Sequence, residues 1–356
     1  MTTPALRSRL VVQQIVRPRF TRPADLVRWM GAVQCQDYPG GLWAIALRLA
    51  GSPTEPDVER ALAERTIVRT WPMRGTLHFV PAADARWMLR LLAPRMIARS
   101  AGRHRQLGLD ADAFTKSRAV LTRALRGGRA LTRPQAYAAL TGGGVSTAGQ
   151  RGIHILAHLA QQGLLCFGPR QDRQPTLVLL DEWVPASREP TRDEALATLA
   201  DRYFASHGPA TLSDFAWWTG LVVTDARAAV EAAGRRLLTE KGRTPPKAAP
   251  VGKSRPPAAV LLPPWDEYIV AFQDREHALG HLGANARHAL AMVGRPVILI
   301  DGRVMGSWRR TLAPRVVRVH LDFWTPVTAL RRRAVERAVA RYGRFLGRTA
   351  EVVKGP

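Results

Sequence analysis

By type and spacing, the residues best suited to chemistry in this 356-residue chain are two glutamines two apart, Gln34 and Gln36, with Asp37 beside them. They end a helical pattern and precede Pro39-Gly40-Gly41, which reads as a turn. On a turn, alternate side chains can point together into one cleft. A carboxamide carries acceptors and donors, so it can orient a water or face a developing positive charge. It cannot take a proton from that water, so it is no general base. Asp37 is the only carboxylate of the segment and has two readings, a base reaching the cleft or a turn or cap acceptor. Cys35, between the glutamines, reads as a small buried side chain rather than a nucleophile. By itself a Gln-x-Gln pair says little, because such pairs commonly face solvent.

Further groups stand out along the chain. Arg69, Arg74 and His78 surround Trp71-Pro72-Met73-Arg74-Gly75, a hairpin tip suited to holding phosphates, and His78 is expected to face the same cleft as Gln34. His154 and His158 stand four apart within the helical pattern of residues 147–163. Without a third ligand at suitable spacing they are assigned to phosphate contact or packing, and no metal is expected. Trp217-Trp218 can stack on a base or fill a core.

The elements that must position these groups follow from three helix starts, at Phe20-Thr21-Arg22-Pro23, Leu131-Thr132-Arg133-Pro134 and Ala210-Thr211-Leu212-Ser213. Each places Thr at an N-cap, and Gln135 and Asp214 stand where a capping box needs them. After the second start, a helix 135–140, a turn 141–144, a helix 147–163 with Ile153, Leu156, Leu159 and Ala160 on its apolar side, and strands 164–167 and 176–180 make a winged helix. The third start repeats the order with helices 192–206, 213–218 and 225–236, leading to Leu237-Leu238. The first is less regular, with helices 23–33 and 57–64 before strands 67–71 and 76–80. The segment 241–257 is rich in proline and lysine and reads as a linker or wing. Strands 297–300, 304–308 and 316–322, then a basic helix 327–344, close the chain. The expected class is α+β, mainly helical: three tandem winged helices (1–115, 116–190, 191–260) followed by a small antiparallel β-barrel with a terminal helix (261–356).

Charge narrows the function. Lys and Arg number 53 against 28 Asp and Glu, a formal net charge of +25. Residues 60–129 hold fifteen Lys plus Arg against four acids, and residues 295–348 hold thirteen Arg against three. Two such blocks suit a clamp on a polyanionic duplex, since neutralised phosphates release counterions and guanidinium forks match phosphate oxygens. The expected DNA contacts are Arg69, Arg74, His78, Arg151, His154, Arg309 and Arg310. Two cysteines cannot build a disulfide framework, and no apolar run is long enough to span a bilayer, so the reading is cytoplasmic without membrane contact, and a monomer is expected because three winged helices in one chain already supply several DNA contacts.

Val33-Gln34-Cys35-Gln36-Asp37, Arg69-Thr70-Trp71-Pro72-Met73-Arg74-Gly75-Thr76-Leu77-His78, Trp265-Asp266-Glu267-Tyr268 and Gly306-Ser307-Trp308-Arg309-Arg310 together resemble the AlkZ-like (YcaQ-like) winged-helix DNA glycosylases, from about Leu6 to about Phe345. The resemblance implies excision of bulky or crosslinked N7-alkylated purines from double-stranded DNA, with no cofactor and without backbone cleavage. It also implies Gln34 and Gln36 as the catalytic pair. Asp37 departs from the family's alternative Gln-x-Asp motif by one position, and Cys35 stands where an apolar residue is expected. A non-enzymatic transcription regulator and a lesion-binding protein that has lost its activity fit the charge and the repeats equally well. Only the glutamine pair in its context separates the enzyme from them.

Overall fold

The computed structural model describes residues 3–172, 174–234, 258–283 and 294–353. Helices α1 (Thr3–Val12), α2 (Pro23–Met30), α3 (Tyr38–Ala46) and α4 (Glu55–Ala63), with the two-residue strand β1 (Val33–Gln34) before α3, lead to strands β2 (Ile67–Met73) and β3 (Thr76–Pro81). Next come α5 (Ala85–Gln106), α6 (Ala111–Leu125), β4 (Leu131–Thr132), α7 (Arg133–Gly142), α8 (Arg151–Gln161), β5 (Leu165–Gln171) and β6 (Gln174–Leu179). Helices α9 (Leu180–Trp183), α10 (Arg192–His207), α11 (Leu212–Thr219) and α12 (Val223–Ala233) follow. The carboxyl part holds β7 (Ala259–Leu262), α13 (Glu267–Val270), α14 (Glu276–Leu279), β8 (Val297–Ile300), β9 (Arg303–Leu312), β10 (Val316–Phe323), α15 (Ala329–Phe345) and β11 (Thr349–Val353). The class is α+β and mainly helical. No described helix is long and apolar enough to cross a membrane.

The chain packs as two compact units, one of residues 1–58, 196–218 and 222–356, the other of residues 59–195 and 219–221. In the second unit, strands run in the order β3-β2-β5-β6-β4. Arg74 and Gly75 join β2 to β3 with φ of 55° and 70°. Positive φ at both central residues is the two-residue turn that matches strand twist, and glycine takes it without strain. Thr132 and Gln135 form the expected capping box, the Thr132 N–H donating to Gln135 Oε1 at 2.8 Å. Helix α8 begins at Arg151, not Thr147, and its buried face is Ile155, Leu156 and Leu159, while Ile153 is 37% exposed.

The first unit is built on the sheet β11-β10-β9-β8-β7. Among the described residues the expected antiparallel barrel is not closed: the strands form a half-barrel whose edge strand β11 runs parallel to β10. A parallel neighbour needs a crossover, and α15 supplies it, burying Val335, Val339, Tyr342 and Phe345. Helix α3 is fastened to this sheet. Trp43 Nε1 donates to Leu261 O at 2.6 Å, and its ring stands edge-on to Tyr342 with centroids 5.0 Å apart. Thr211 and Asp214 cap α11 reciprocally, at 2.9 and 3.1 Å. At the first helix start the N-cap is Arg22, not Thr21, and Arg22 pairs with Asp25 at 2.7 Å. Leu237-Leu238, to which the third unit was expected to lead, and the segment 241–257 lie outside the described residues.

Candidate active site

Helix α2 stops at Met30 rather than at residue 33, because Gly31 takes φ 79°, ψ −49°, a conformation closed to L side chains. A Cβ there would lie 3.1 Å from Cη2 of Trp218, so the glycine also admits the indole against the main chain. The chain then extends through β1. The Gln34 N–H donates to Glu267 Oε1 at 2.7 Å, and Trp218 Nε1 donates to Glu267 Oε2 at 3.0 Å. Glu267 is wholly buried.

Its neighbour Asp266 takes a bidentate pair from Arg48, at 2.6 and 2.8 Å, and accepts the Tyr268 N–H at 2.9 Å, which caps α13. Arg48 also donates to Ala44 O at 2.9 Å and to Gln13 Oε1 at 3.1 Å. His207, equally buried, holds Nε2 3.6 Å from Glu267 Oε2. Burial pulls its pKa below the ordinary value, against the upward pull of Glu267.

The two glutamines differ in setting. Gln34 is 6% exposed and Cys35 is buried, whereas Gln36 is exposed. Pro39-Gly40-Gly41 is not a turn but the first turn of α3, and Asp37 is its N-cap, accepting the Gly40 N–H at 3.0 Å. A Cβ on Gly40 would lie 2.5 Å from Asp37 Oδ2, so glycine lets the carboxylate approach the helix end. Arg310, on β9, lies within electrostatic reach of Asp37 and Glu55. Burial lowers its pKa, and the two carboxylates oppose that shift. Arg309 alternates to the other face of β9 and is exposed. The first unit thus gathers Gln34, Gln36, Asp37 and Arg310 around the junction of β1 and α3.

The remaining predicted residues lie in the second unit, where most are engaged by protein. Arg69 is 6% exposed, its guanidinium 4.7 Å from the Phe167 ring centroid. His78 is buried. Arg74 can only donate, so its 3.4 Å bond runs to His78 Nε2, and Nδ1–H donates to Thr76 O at 3.0 Å. Arg74 itself stays half-buried at the hairpin tip.

Arg151 donates to Ser146 O and Gly108 O, both at 3.0 Å, and to Leu107 O, tying the start of α8 to the end of α5. His154 meets the His104 ring edge-on with centroids 5.6 Å apart, and His158 stacks on Phe114 at 3.7 Å. Burial, then neighbouring charge, lowers all three imidazoles, His158 to about 4. Among the described residues no three His, Cys, Asp or Glu side chains are placed to hold a metal. Trp218 is core, and Trp217 is 43% exposed.

The sequence reading missed two exposed basic stripes. One is Arg95, Arg99 and Arg103 on α5, the other Arg333, Arg337 and Arg344 on α15. Their signal was legible as arginines at four- and seven-residue spacing, which share a helix face. It lay hidden within the general excess of Arg.

A family model described as DNA glycosylase AlkZ-like matches residues 27–345. A Streptomyces sahachiroi protein named interstrand DNA cross-link repair glycosylase is 28% identical over 330 residues, covering 83% of this chain and 84% of its own. The solved structure of Streptomyces sahachiroi DNA glycosylase AlkZ is similar in fold, with a TM-score of 0.76 and 24% identity over 99% of both chains.

Proposed function

Because the chain belongs to the AlkZ-like family of DNA glycosylases, enzymes that hydrolyse N-glycosyl bonds, we propose that its substrates are N7-alkylated purines, bulky and crosslinked ones included, and that Gln34 and Gln36 position the water. The name of the Streptomyces sahachiroi relative, an interstrand DNA cross-link repair glycosylase, supports the crosslinked lesions among these substrates. An N7-alkylated purine is already cationic, so it leaves C1′ without prior protonation, and the sugar gains positive charge as it does. What remains for the protein is to hold a water in line and present dipoles to that charge. Gln36, exposed, suits the water, and Gln34, buried beside it, suits the oxocarbenium-like sugar. The departing base takes the bonding electrons of the glycosidic bond, water oxygen bonds to C1′, and its proton passes to solvent.

The observation that carries this reading is the anchoring of the segment, with Gln34 fixed through its N–H by Glu267 and Asp37 held as the N-cap of α3. Asp37 on this reading is a cap and not a base. The order α6, β4, α7, α8, β5, β6, with β4 paired to β6, supports a winged helix within 116–190. Arg74, Arg309, Arg310 and the stripe Arg95, Arg99 and Arg103 are assigned to DNA phosphates, while Arg69, His78, Arg151 and His154 support the surface from behind. The alternative of a regulator without activity gains no observation of its own.

The test is release of base from duplex DNA bearing an N7-alkylguanine, read as free base and alkali-labile strands. Release from simple, bulky or crosslinked lesions, abolished by Gln34→Ala with Gln36→Ala, is expected. No release from any of them, or release that survives the double substitution, refutes the proposal.

A further inference from the structure

Glu267 is a carboxylate with no access to solvent, and both of its oxygens accept N–H donors. Oε1 takes the main-chain N–H of Gln34 at 2.7 Å, and Oε2 takes the indole of Trp218 at 3.0 Å. The same indole lies against Gly31, where φ is +79° and a Cβ would stand 3.1 Å away. One linked pair, Trp218 and Glu267, therefore holds the chain at two points, residue 31 where α2 ends and residue 34 where the candidate motif begins.

Burying a carboxylate is costly, and an apolar side chain of similar volume would fill the same space more cheaply. Packing alone therefore does not account for an acid here. A neutral amide would not serve either. Gln34 and Trp218 are both donors, so only a group that accepts at both oxygens satisfies both, and a carboxamide turns one oxygen into a donor.

We propose that Glu267 is a positioning residue of the glycosylase reaction: its carboxylate sets the main chain at Gln34, and thereby the side-chain amide of Gln34 relative to the sugar, while Gln36 holds the attacking water. This rests on the reading of those two glutamines as the water-positioning pair. Glu267 touches neither water nor sugar and acts through the backbone of Gln34. Water attack demands near-contact alignment, and a displacement of about 1 Å costs on the order of a hundredfold in rate. Loss of the anchor therefore falls on the chemical step and not on DNA affinity.

The test is single-turnover base release from duplex DNA with an N7-alkylguanine, beside the affinity for the same duplex, in Glu267→Gln, Trp218→Phe, Gln34→Ala and both paired combinations with Gln34→Ala. The expected result for Glu267→Gln is a rate loss of about ten- to a hundredfold with affinity unchanged within about twofold. Once Gln34 is Ala, the same substitution should lower the rate further by less than about twofold, since residues acting as one unit are not additive. Trp218→Phe keeps an aromatic side chain while removing the indole donor to Glu267, and it answers the question with a smaller loss of the same pattern if Glu267→Gln does not fold. Unchanged release in Glu267→Gln, or an equal loss in both backgrounds, overturns the proposal. Undiminished release by Gln34→Ala alone overturns instead the glutamine reading on which it rests.

Discussion

Replacing Asp266 by Asn should remove a large share of the first unit's stability. The side chains of Arg48 and Asp266 are 0% and 1% exposed and meet at 2.6 Å. Asn keeps the volume and one acceptor but cancels the charge, leaving a buried guanidinium uncompensated. Breaking a buried pair from one side costs about 3–5 kcal/mol. Asp266→Ala also removes the cap on the Tyr268 N–H, adding about 1 kcal/mol. Against a typical domain stability of roughly 5–15 kcal/mol, either change leaves little margin.

The assay is urea unfolding of the wild type, Asp266→Asn, Arg48→Met and the pair, with amide exchange read in α3 and β7. Arg48→Met with Asp266→Asn should be less destabilised than Asp266→Asn alone, because no unpaired charge remains buried. A cost under about 1 kcal/mol for Asp266→Asn, or strict additivity in the cycle, would refute the claim that this pair is mutually dependent.

Gly31→Ala forces a side chain into a glycine-only conformation and pushes on Trp218. It should cost about 1–3 kcal/mol in urea unfolding and slow base release with it. The folded-state pKa of His158 lies near 4, below the ordinary value of 6.5, so the neutral form stabilises the second unit. That contribution is complete above about pH 6.5 and is lost as pH falls toward 4; in melts across this range His158→Phe should flatten the acid limb, and an unchanged limb counts against it. DNA affinity should fall with salt at a log–log slope of about −0.9 per neutralised phosphate. Changing Arg95, Arg99 and Arg103 together to Gln should make that slope shallower, and an identical slope would remove α5 from the DNA surface.

Local chemistry was legible wherever the backbone itself asked for a partner. The Thr132–Gln135 and Thr211–Asp214 caps stand where the spacing put them, since capping depends on residues three apart in the chain. Hairpin β2–β3 was equally readable from its turn, although its strands run longer than expected. Helix α3 was missed because Pro39-Gly40-Gly41 carries a turn signature. Pro is equally at home in a first helical turn, and Asp37 capping the end decides between the two. The parallel edge of the half-barrel escaped the sequence for a similar reason. Strand 349–353 gains its partner only through packing, because its parallel pairing with β10 exists only once α15 has crossed over.

The amino-acid sequence alone determined the charge, the family resemblance and the glutamine pair, because these are properties of residue type and spacing. Tertiary structure decided which of those groups face solvent. It turned Arg69 and His78 inward and committed Arg151 to three carbonyls. It left Gln36 exposed beside a buried Gln34. It also joined Gln34 to Glu267 and Trp218, which lie far from it in the chain. The physical reason is that hydrogen-bond partnership between residues far apart in the chain belongs to packing, and such partnership leaves no periodic trace in the order of residues.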